Sequence, residues 1–321
     1  MSTIEWREDV PAADWDAALA TLGGHPLQSA LWGDARRSVD GIHDHRWLAM
    51  IGPDPVWMIR IEERRLPALG WIGWVPRGPT GRFADNSPLV SILAERLKRL
   101  GAKLLITDPW QAAATEQLLA VDDAKRPRTI WIDIGLGQGE IWNKLDKQWR
   151  YGVRRAQRLG VAVGSSGSDS DVESFFELCA KVSRAKGFRL PASLKLMKCL
   201  LASGKSESVE ARLFLARHEK KLGSGIFVIR CGKSMHYFWG GLDRALSRQR
   251  VGEAVQWAAI EWALAQGCQR YDLGGISPKE NPTVYEFKKK MGGIEVTLVG
   301  RQRYPFGLGG RIVGWMDAAF H

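Results

Sequence analysis

The chain has 321 residues, of which 45% are hydrophobic and 25% are charged, and its formal net charge is +11 at pH 7. The length predicts about two domains, and the composition excludes a disordered or fibrous protein. No apolar run reaches the ~18 residues that a membrane span requires, and the first residues lack the apolar region of a signal peptide. We therefore expect a cytoplasmic protein, with contact to the inner, anionic face of the membrane as one option, whose basic surface suits polyanionic partners.

The first half of the chain alternates β-rich segments with a helical pattern. Residues 47–52 and 56–61 are apolar and β-rich, and the Gly-Pro-Asp-Pro sequence between them predicts a hairpin. A third strand is predicted over 71–75. Four leucines recur every three or four residues over 89–100, which predicts a helix that ends at Gly101. The next predicted strand, from Leu104 to Thr107, leads into Asp108.

The middle of the chain contains a predicted helix with two different faces. Leu145, Trp149, Val153 and Ala156 recur at helical spacing and form an apolar stripe. The other face is cationic, and we predict that it contacts nucleic-acid or membrane phosphates, with a solvated helix face as the alternative. The cationic residues are Lys147, Arg150, Arg154 and Arg158.

The second half repeats the order of the first: strands, a glycine kink, a helix, a glycine and a further strand. The predicted elements are strands over 211–217, 224–230 and 235–239, a helix over 253–265 ended by Gly267, and a strand over 270–273. Repetition of this order predicts two copies of one α/β unit, although the two copies share little sequence identity.

Five motifs, in order along the chain, resemble those of the Fem family, the non-ribosomal aminoacyltransferases that build peptidoglycan cross-bridges. They are Gln28-Ser followed by Trp32 and Arg36; Pro76-Arg-Gly-Pro; the strand at Thr129 with the basic helix 147–161; Tyr271-Asp-Leu-Gly-Gly; and Phe287-Lys288 closed by Gly292-Gly293. The resemblance implies a mixed α/β fold with two tandem GNAT-like acyltransferase domains, in a compact form without the helical arm of some members. We assign residues 1–140 to the first domain and residues 141–321 to the second, which is expected to carry the transfer site.

The resemblance also implies a function. An amino acid would pass from aminoacyl-tRNA to an amine of a pyrophosphate-linked peptidoglycan precursor, and no cofactor is expected. The matching lysine, Lys288, would stabilise the oxyanion that develops at the reacting carbonyl. The backbone carbonyl of Phe287 would orient the amine. We expect like-charge repulsion from Lys289 and Lys290 to lower the pKa of Lys288.

Five further residues are candidates for substrate binding. By position, Arg36 matches a residue of the family that contacts phosphate, and Arg184 is a second candidate from a looser alignment, because arginine suits phosphate oxygens. Tyr237 and Trp239 match aromatic positions. The family has tyrosine at the second of these positions, so Trp239 lacks a hydroxyl. Asp272 lies at a predicted strand end, where sites form in α/β proteins, and a turn aspartate is the alternative.

Two other functions remain open from the sequence. Residues 249–254 fit the GNAT phosphate-loop pattern Gln/Arg-x-x-Gly-x-Gly/Ala, which predicts an N-acetyltransferase that uses acetyl-CoA. The chain is alternatively a non-catalytic double GNAT module that binds RNA or the cell envelope. The four cysteines lack CxxC spacing and the histidines lack a neighbouring ligand set, so no metal site is predicted.

Overall fold

The structure, a computed structural model, describes residues 4–66, 70–82, 87–114, 126–187, 190, 192–203, 206–307, 309–312 and 314. The chain forms two compact units. One comprises Met1–Pro127 with Thr297–His321, and the other comprises Arg128–Val296. Each unit has its own mixed β-sheet covered by helices, which confirms the predicted fold class.

The first unit is a mixed sheet in the order β1-β2-β3-β4-β6-β14, with β5 paired to β3. Only β4 and β6 run parallel among these described pairs, and the other pairs are antiparallel. Its strands are β1 (Glu5–Arg7), β2 (Asp44–Ile51), β3 (Asp54–Leu66), β4 (Gly70–Arg77), β5 (Thr80–Gly81), β6 (Ala102–Pro109) and β14 (Gln302–Pro305). Its helices are α1 (Ala12–Thr21), α2 (Ala30–Asp40), α3 (Ser87–Arg99) and a 3-10 turn, Pro26–Gln28.

The second unit is a mixed sheet in the order β13-β7-β12-β11-β10-β9-β8. Its strands are β7 (Arg128–Asp133), β8 (Ala162–Ser165), β9 (Val209–His218), β10 (Lys221–Cys231), β11 (Ser234–Leu242), β12 (Arg270–Gly275) and β13 (Ile294–Thr297). Its helices are α4 (Gln138–Lys144), α5 (Lys147–Arg158), α6 (Asp169–Lys186), α7 (Leu194–Ser203), α8 (Val251–Ala265), α9 (Pro282–Lys289) and a 3-10 helix, Arg244–Gln249.

The predicted internal repeat is present. In each unit an antiparallel meander leads into a helix and then into a strand parallel to the last strand of the meander. The meanders are β2-β3-β4 and β9-β10-β11, and the parallel strands are β6 and β12. A further strand then pairs antiparallel with the parallel strand: β14 with β6, and β7 with β12.

The compact units divide the chain at other places than the predicted domains, 1–140 and 141–321. β7 precedes residue 140 but pairs with β12, so it belongs to the second unit. β14 lies near the end of the chain but pairs with β6 of the first unit. Both pairings join strands that are far apart in sequence, and local periodicity carries no information about them.

Helix α5 shows how the core of the second unit fixes its elements. The side chains of Trp149 and Val153 are buried in the main core cluster together with residues of α8, and Ala156 is also buried. Asp146 caps the helix, because its carboxylate accepts a hydrogen bond from the N–H of Gln148 at 2.8 Å. The predicted apolar stripe is therefore confirmed, although the chain breaks at Leu145 into two helices, α4 and α5.

In the part of the chain that the structure describes, no helix has the length and apolar content needed to cross a membrane.

Candidate active site

The parallel strands β11 and β12 diverge soon after they meet. They pair over three residues, from Ser234 opposite Arg270 to His236 opposite Asp272. Beyond this point β12 turns through Gly274, whose φ is +70°, and pairs with β7 again at Gly275. A Cβ at position 274 would lie 3.0 Å from the backbone oxygen of Tyr237, so the turn requires glycine for both conformation and space.

Lys288 lies where the strands diverge. It belongs to the last turn of α9, a helix that begins with Pro282, a residue preorganised for a first helical position. The Lys288 side chain is 8% exposed, and its Nζ donates to the carbonyl oxygen of Gly275 at 2.9 Å and lies 3.4 Å from that of Gly274. Nζ also lies 5.2 Å from the centroid of the Tyr237 ring. Carbonyl dipoles and an aromatic face therefore hold this ammonium, and no described carboxylate forms an ion pair with it.

The pKa of Lys288 is lowered to about 8. Burial is the cause, and the negative charge of Asp272 opposes it. The expected cause, repulsion from Lys289 and Lys290, is wrong. Both of these side chains are exposed, and Lys289 lies over the ring of Tyr285, 5.4 Å from its centroid. Exposed charges are screened by water, whereas burial disfavours the charged form directly.

Asp272 stabilises the double-glycine turn through hydrogen bonds to its carboxylate. Its buried carboxylate accepts a hydrogen bond from the N–H of Gly274 at 2.8 Å and another from the hydroxyl of Thr129 on β7. His236 Nδ1 lies 3.9 Å from the same carboxylate. The carbonyl groups that hold Lys288 are thus fixed by a side-chain bridge between β12 and β7. A substrate contact for Asp272 stays a prediction.

The carbonyl of Phe287 is left open by the end of α9. The N–H of Lys290 donates to Glu286, and the N–H of Met291 donates to Lys288, so neither reaches the oxygen of Phe287. No other backbone N–H of the described residues donates to this oxygen. Carbonyl groups in a last helical turn carry partial negative charge, so this oxygen can accept a hydrogen bond from an incoming amine. The Phe287 ring packs on Trp149 of α5, with centroids 5.5 Å apart.

The two aromatic candidates on β11 lie in different surroundings. Tyr237 lies under the ammonium of Lys288, and burial raises the pKa of its hydroxyl. The register of β11 against β10 shifts between the pairs that contain Tyr237 and Trp239. Trp239 is buried against Phe227, with centroids 4.9 Å apart. Tyr237 thus faces Lys288, whereas Trp239 packs into the core. A substrate contact stays a prediction for both residues.

The two arginine candidates lie on different helices, and the structure does not test their predicted contacts with pyrophosphate. Arg36, on α2 of the first unit, forms an ion pair with Asp40 one turn later. Arg184 is exposed in the last turn of α6. Their roles as pyrophosphate contacts stay predictions.

The cationic residues of α5 divide into two kinds. Arg150 has a structural role, because its guanidinium donates to the carbonyl oxygens of Asn143 at 2.9 Å and Leu145 at 2.8 Å, at the end of α4. Lys147, Arg154 and Arg158 are exposed. The guanidinium of Arg154 lies over Trp142, 5.3 Å from the ring centroid.

The segment that matches the phosphate-loop pattern carries an acidic group at the helix start. Arg250 adopts a left-handed conformation, and α8 begins at Val251. Glu253 is 8% exposed, and its carboxylate lies 2.9 Å from Arg250 Nη1. It also packs against Gly152 of α5, where a Cβ would lie 2.8 Å from Oε1. A helix N-terminus attracts phosphate, but here the arginine at the helix start is already paired with a carboxylate.

Sequence reasoning missed three parts of this site. It predicted no helix over Pro282–Lys289, although Asn-Pro at 281–282 is a signal for a helix start. It did not single out Thr129 as a site residue. It did not predict that Arg150 would cap α4.

Comparisons with known proteins agree with this fold. Residues 143–289 match the acetyltransferase (GNAT) domain family. Over 137 residues the chain is 28% identical to UDP-N-acetylmuramoylpentapeptide-lysine N(6)-alanyltransferase of Weissella viridescens, and the match covers 42% of this chain and 40% of that protein. The chain thus aligns with less than half the length of this curated relative.

Solved structures match over nearly the whole chain. A crystal structure of FemX has a TM-score of 0.80 and 16% sequence identity, covering 97% of this chain and 99% of its own. L-PGS from Bacillus licheniformis has a TM-score of 0.56 and 12% identity, covering 98% and 97%. The C-terminal domain of a putative lysylphosphatidylglycerol synthetase from Agrobacterium fabrum has a TM-score of 0.55 and 14% identity, covering 96% and 97%. With the ordered motifs and the GNAT match, these similarities support the predicted resemblance to the Fem family, and they show a fold of the GNAT type.

Proposed function

We propose that this protein transfers an amino acid from aminoacyl-tRNA to an amine of a peptidoglycan precursor. The observation that carries the proposal is the buried ammonium of Lys288, held by backbone carbonyls beside the open carbonyl of Phe287. The similarity to the Weissella protein, which is named as an alanyltransferase for the lysine of UDP-N-acetylmuramoylpentapeptide, supports this acceptor class.

The proposed reaction is an acyl transfer from an ester to an amine. The amine nitrogen attacks the ester carbonyl carbon, and the π electrons move to the carbonyl oxygen. When the tetrahedral intermediate collapses, the bond to the ribose oxygen breaks, and the proton lost by the amine ends on that oxygen. The Phe287 carbonyl accepts an N–H of the incoming amine, and Lys288 donates to the oxyanion.

Burial suits Lys288 to this role in two ways. A cation that is shielded from water interacts more strongly with a developing oxyanion than an exposed one does. With a pKa of about 8, Lys288 is mostly protonated at neutral pH and still close to losing its proton. The carbonyls of the double-glycine turn orient Nζ without neutralising it, since they carry no net charge.

Transfer from acetyl-CoA is a second candidate, because the chain matches the GNAT family over residues 143–289. The ion pair between Glu253 and Arg250 opposes it, since the guanidinium at the start of α8 is already engaged by a carboxylate and has less charge to offer a pyrophosphate. The non-catalytic alternative is opposed by the geometry of Lys288, whose burial costs free energy and contributes no ion pair among the described residues.

Incubation of the purified protein with a pool of labelled aminoacyl-tRNAs and UDP-linked pentapeptide tests the proposal. Mass spectrometry should detect a new amide on the pentapeptide. Acetyl-CoA in place of the charged tRNA should give no product. Lys288→Ala should abolish the product, while Lys289→Ala, which changes an exposed neighbour, should retain it. Acetylation of the acceptor together with no aminoacyl product would overturn the proposal.

A further inference from the structure

We infer that the outer face of α5 is the docking surface for the RNA strand of the donor. The inference rests on the proposed function, because it assigns the RNA part of the same aminoacyl-tRNA. We call this surface the α5 face, defined by the residues that line an open groove of about 880 Å³: Lys147, Arg150, Tyr151, Arg154, Gln157 and Arg158.

The first observation is uncompensated charge. α5 contains five cationic residues and no acidic residue over Lys147–Arg158. No acidic side chain of the described chain forms an ion pair with any of the five. The cations of α2 differ, since Arg36 pairs with Asp40 and Arg37 pairs with Asp44. Cations that lack acidic partners are available to neutralise phosphates, which releases the counterions condensed on the nucleic acid.

The second observation is the geometry of the surface. From Lys147 to Arg158 the helix rises by about 16 Å, at ~1.5 Å per residue. One nucleic-acid strand carries a charge about every 3.4 Å along its axis, so this length covers several phosphates. Tyr151 is 43% exposed among these cations and offers an aromatic face to an unpaired base.

The third observation links the α5 face to Lys288. The N–H of Asp146, the residue that caps α5, donates to the carbonyl of Lys290 at 2.9 Å. Trp149 on the buried side of α5 packs against the ring of Phe287. The helix that presents the cations outward therefore holds α9 on its inner side. A strand bound to α5 lies one helix away from the reacting centre.

An anionic membrane is the other polyanion that the charge alone would suit. A helix that lies in a membrane surface buries its apolar face among the lipids. The apolar face of α5 is already occupied, because Trp149, Val153 and Ala156 are buried in the protein core. The structure therefore favours RNA.

A binding measurement tests the inference without any need for catalysis. Fluorescence anisotropy would follow a labelled, uncharged RNA hairpin with a single-stranded 3′ end as it binds the full chain at several salt concentrations. The test variant is Lys147→Gln/Arg154→Gln/Arg158→Gln, which spares Arg150 because that residue caps α4. The slope of log affinity against log salt should decrease by about 2 in magnitude, and affinity should decrease at least about tenfold.

The matched control removes the same charge elsewhere in the second unit. Lys195→Gln/Lys221→Gln/Lys233→Gln changes three exposed lysines on α7, on β10 and in the turn before β11. This variant should bind the hairpin within about twofold of the wild type, as expected for charges outside the contact. Thermal melting and circular dichroism would show that both variants are folded. Equal losses in the two variants, or no loss in the α5 variant, would overturn the inference.

Two further readouts separate the possible outcomes. Vesicles that contain anionic lipid should bind both variants alike, and selective loss of vesicle binding by the α5 variant with RNA binding retained would overturn the inference. In the transfer assay, the α5 variant should raise KM for aminoacyl-tRNA at least about tenfold, in line with its loss of RNA affinity, and leave KM for the acceptor unchanged. If no transfer occurs with any donor while the α5 variant still loses RNA binding, the proposed function is wrong. The assignment of the α5 face as an RNA-binding surface is then retained.

Discussion

Each unit has one equivalent pair of parallel strands, and the two pairs end differently. In the first unit, β4 and β6 remain paired from Trp71 opposite Ala102 to Arg77 opposite Pro109. An ion pair of 3.0 Å between Arg77 and Asp108 then closes the strand ends. In the second unit, β11 and β12 pair over three residues and diverge. The space between them receives Lys288 from α9.

This difference indicates what turns a shared topology into a site. In the first unit the cation at the strand ends is neutralised by a carboxylate, so it has little capacity left for a substrate. In the second unit the cation is held by uncharged carbonyls, while the nearby carboxylate, Asp272, is engaged by Gly274 and Thr129. Divergence of two strands and redirection of one carboxylate are sufficient to distinguish the units.

The largest expected effect is a difference in transfer rate between two variants. One removes the cation of the second unit, and the other removes the carboxylate that pairs with the cation of the first unit. Lys288→Ala should lower the transfer rate at least about 100-fold, as is usual when a group that stabilises an oxyanion is removed. Asp108→Asn, which breaks the ion pair of the first unit, should change the rate less than about threefold and cost at most ~1 kcal/mol of stability. Steady-state kinetics and urea unfolding would measure both. Equal rate losses would contradict the contrast between the units.

A second test changes the turn where the strands diverge. Gly274→Ala should cost about 1–2 kcal/mol of stability, since alanine disfavours a left-handed conformation. Its Cβ would also press against the Tyr237 backbone oxygen. Activity should fall about tenfold, because the shifted carbonyls no longer orient Lys288. Gly275→Ala is the control, since a Cβ there meets no atom within 4 Å. Similar unfolding curves for the two variants would show that the turn is not constrained.

A third test uses pH. The pKa of Lys288 is about 8 in the folded protein, against 10.5 for an ordinary lysine. Between these values the unfolded chain binds more protons than the folded one, so stability rises as pH increases through this window. From pH 7 to 9.5 the gain of the wild type over Lys288→Met should be about 2 kcal/mol. Urea unfolding of both proteins at each pH would measure it. A difference that stays constant with pH would exclude a lowered pKa.

The smallest effect should come from the bridge between β7 and β12. Thr129→Val removes the hydroxyl that donates to Asp272 and should cost about 1 kcal/mol or somewhat more, because a buried carboxylate loses a hydrogen bond. Thr129→Ser keeps the hydroxyl and should cost less. Thermal unfolding would compare them, and a larger loss in the serine variant would indicate that the methyl group matters more than the hydrogen bond.

Much of the fold was predictable because it is encoded locally. Apolar runs broken by glycine and proline gave the strands of both meanders, and the leucine spacing gave α3. The ends of helices were less visible, since the single stripe predicted through Leu145 proved to be two helices. The helix α9 was missed because glycine, proline and asparagine precede it closely and suggest a loop.

The site was only partly predictable because its support comes from long-range contacts. The motif singled out Lys288 and Phe287, and the structure shows Lys288 held by the carbonyls of the double-glycine turn, while the catalytic roles stay predictions. It could not show that burial lowers the pKa of Lys288, because burial depends on packing of the whole sheet. Nor could it show that Thr129 holds Asp272, since 143 residues separate these two partners.

The position of β7 limits how this protein can be divided. The stretch that matches the acetyltransferase family begins at residue 143, after β7 has ended at Asp133. A fragment excised at the family boundary would contain Lys288 and both strands of the divergence, yet it would lack the strand that pairs with β12 and the hydroxyl that braces Asp272. Exchange of this unit between proteins, by recombination in evolution or by design in the laboratory, should therefore preserve function only when the cut lies upstream of Arg128.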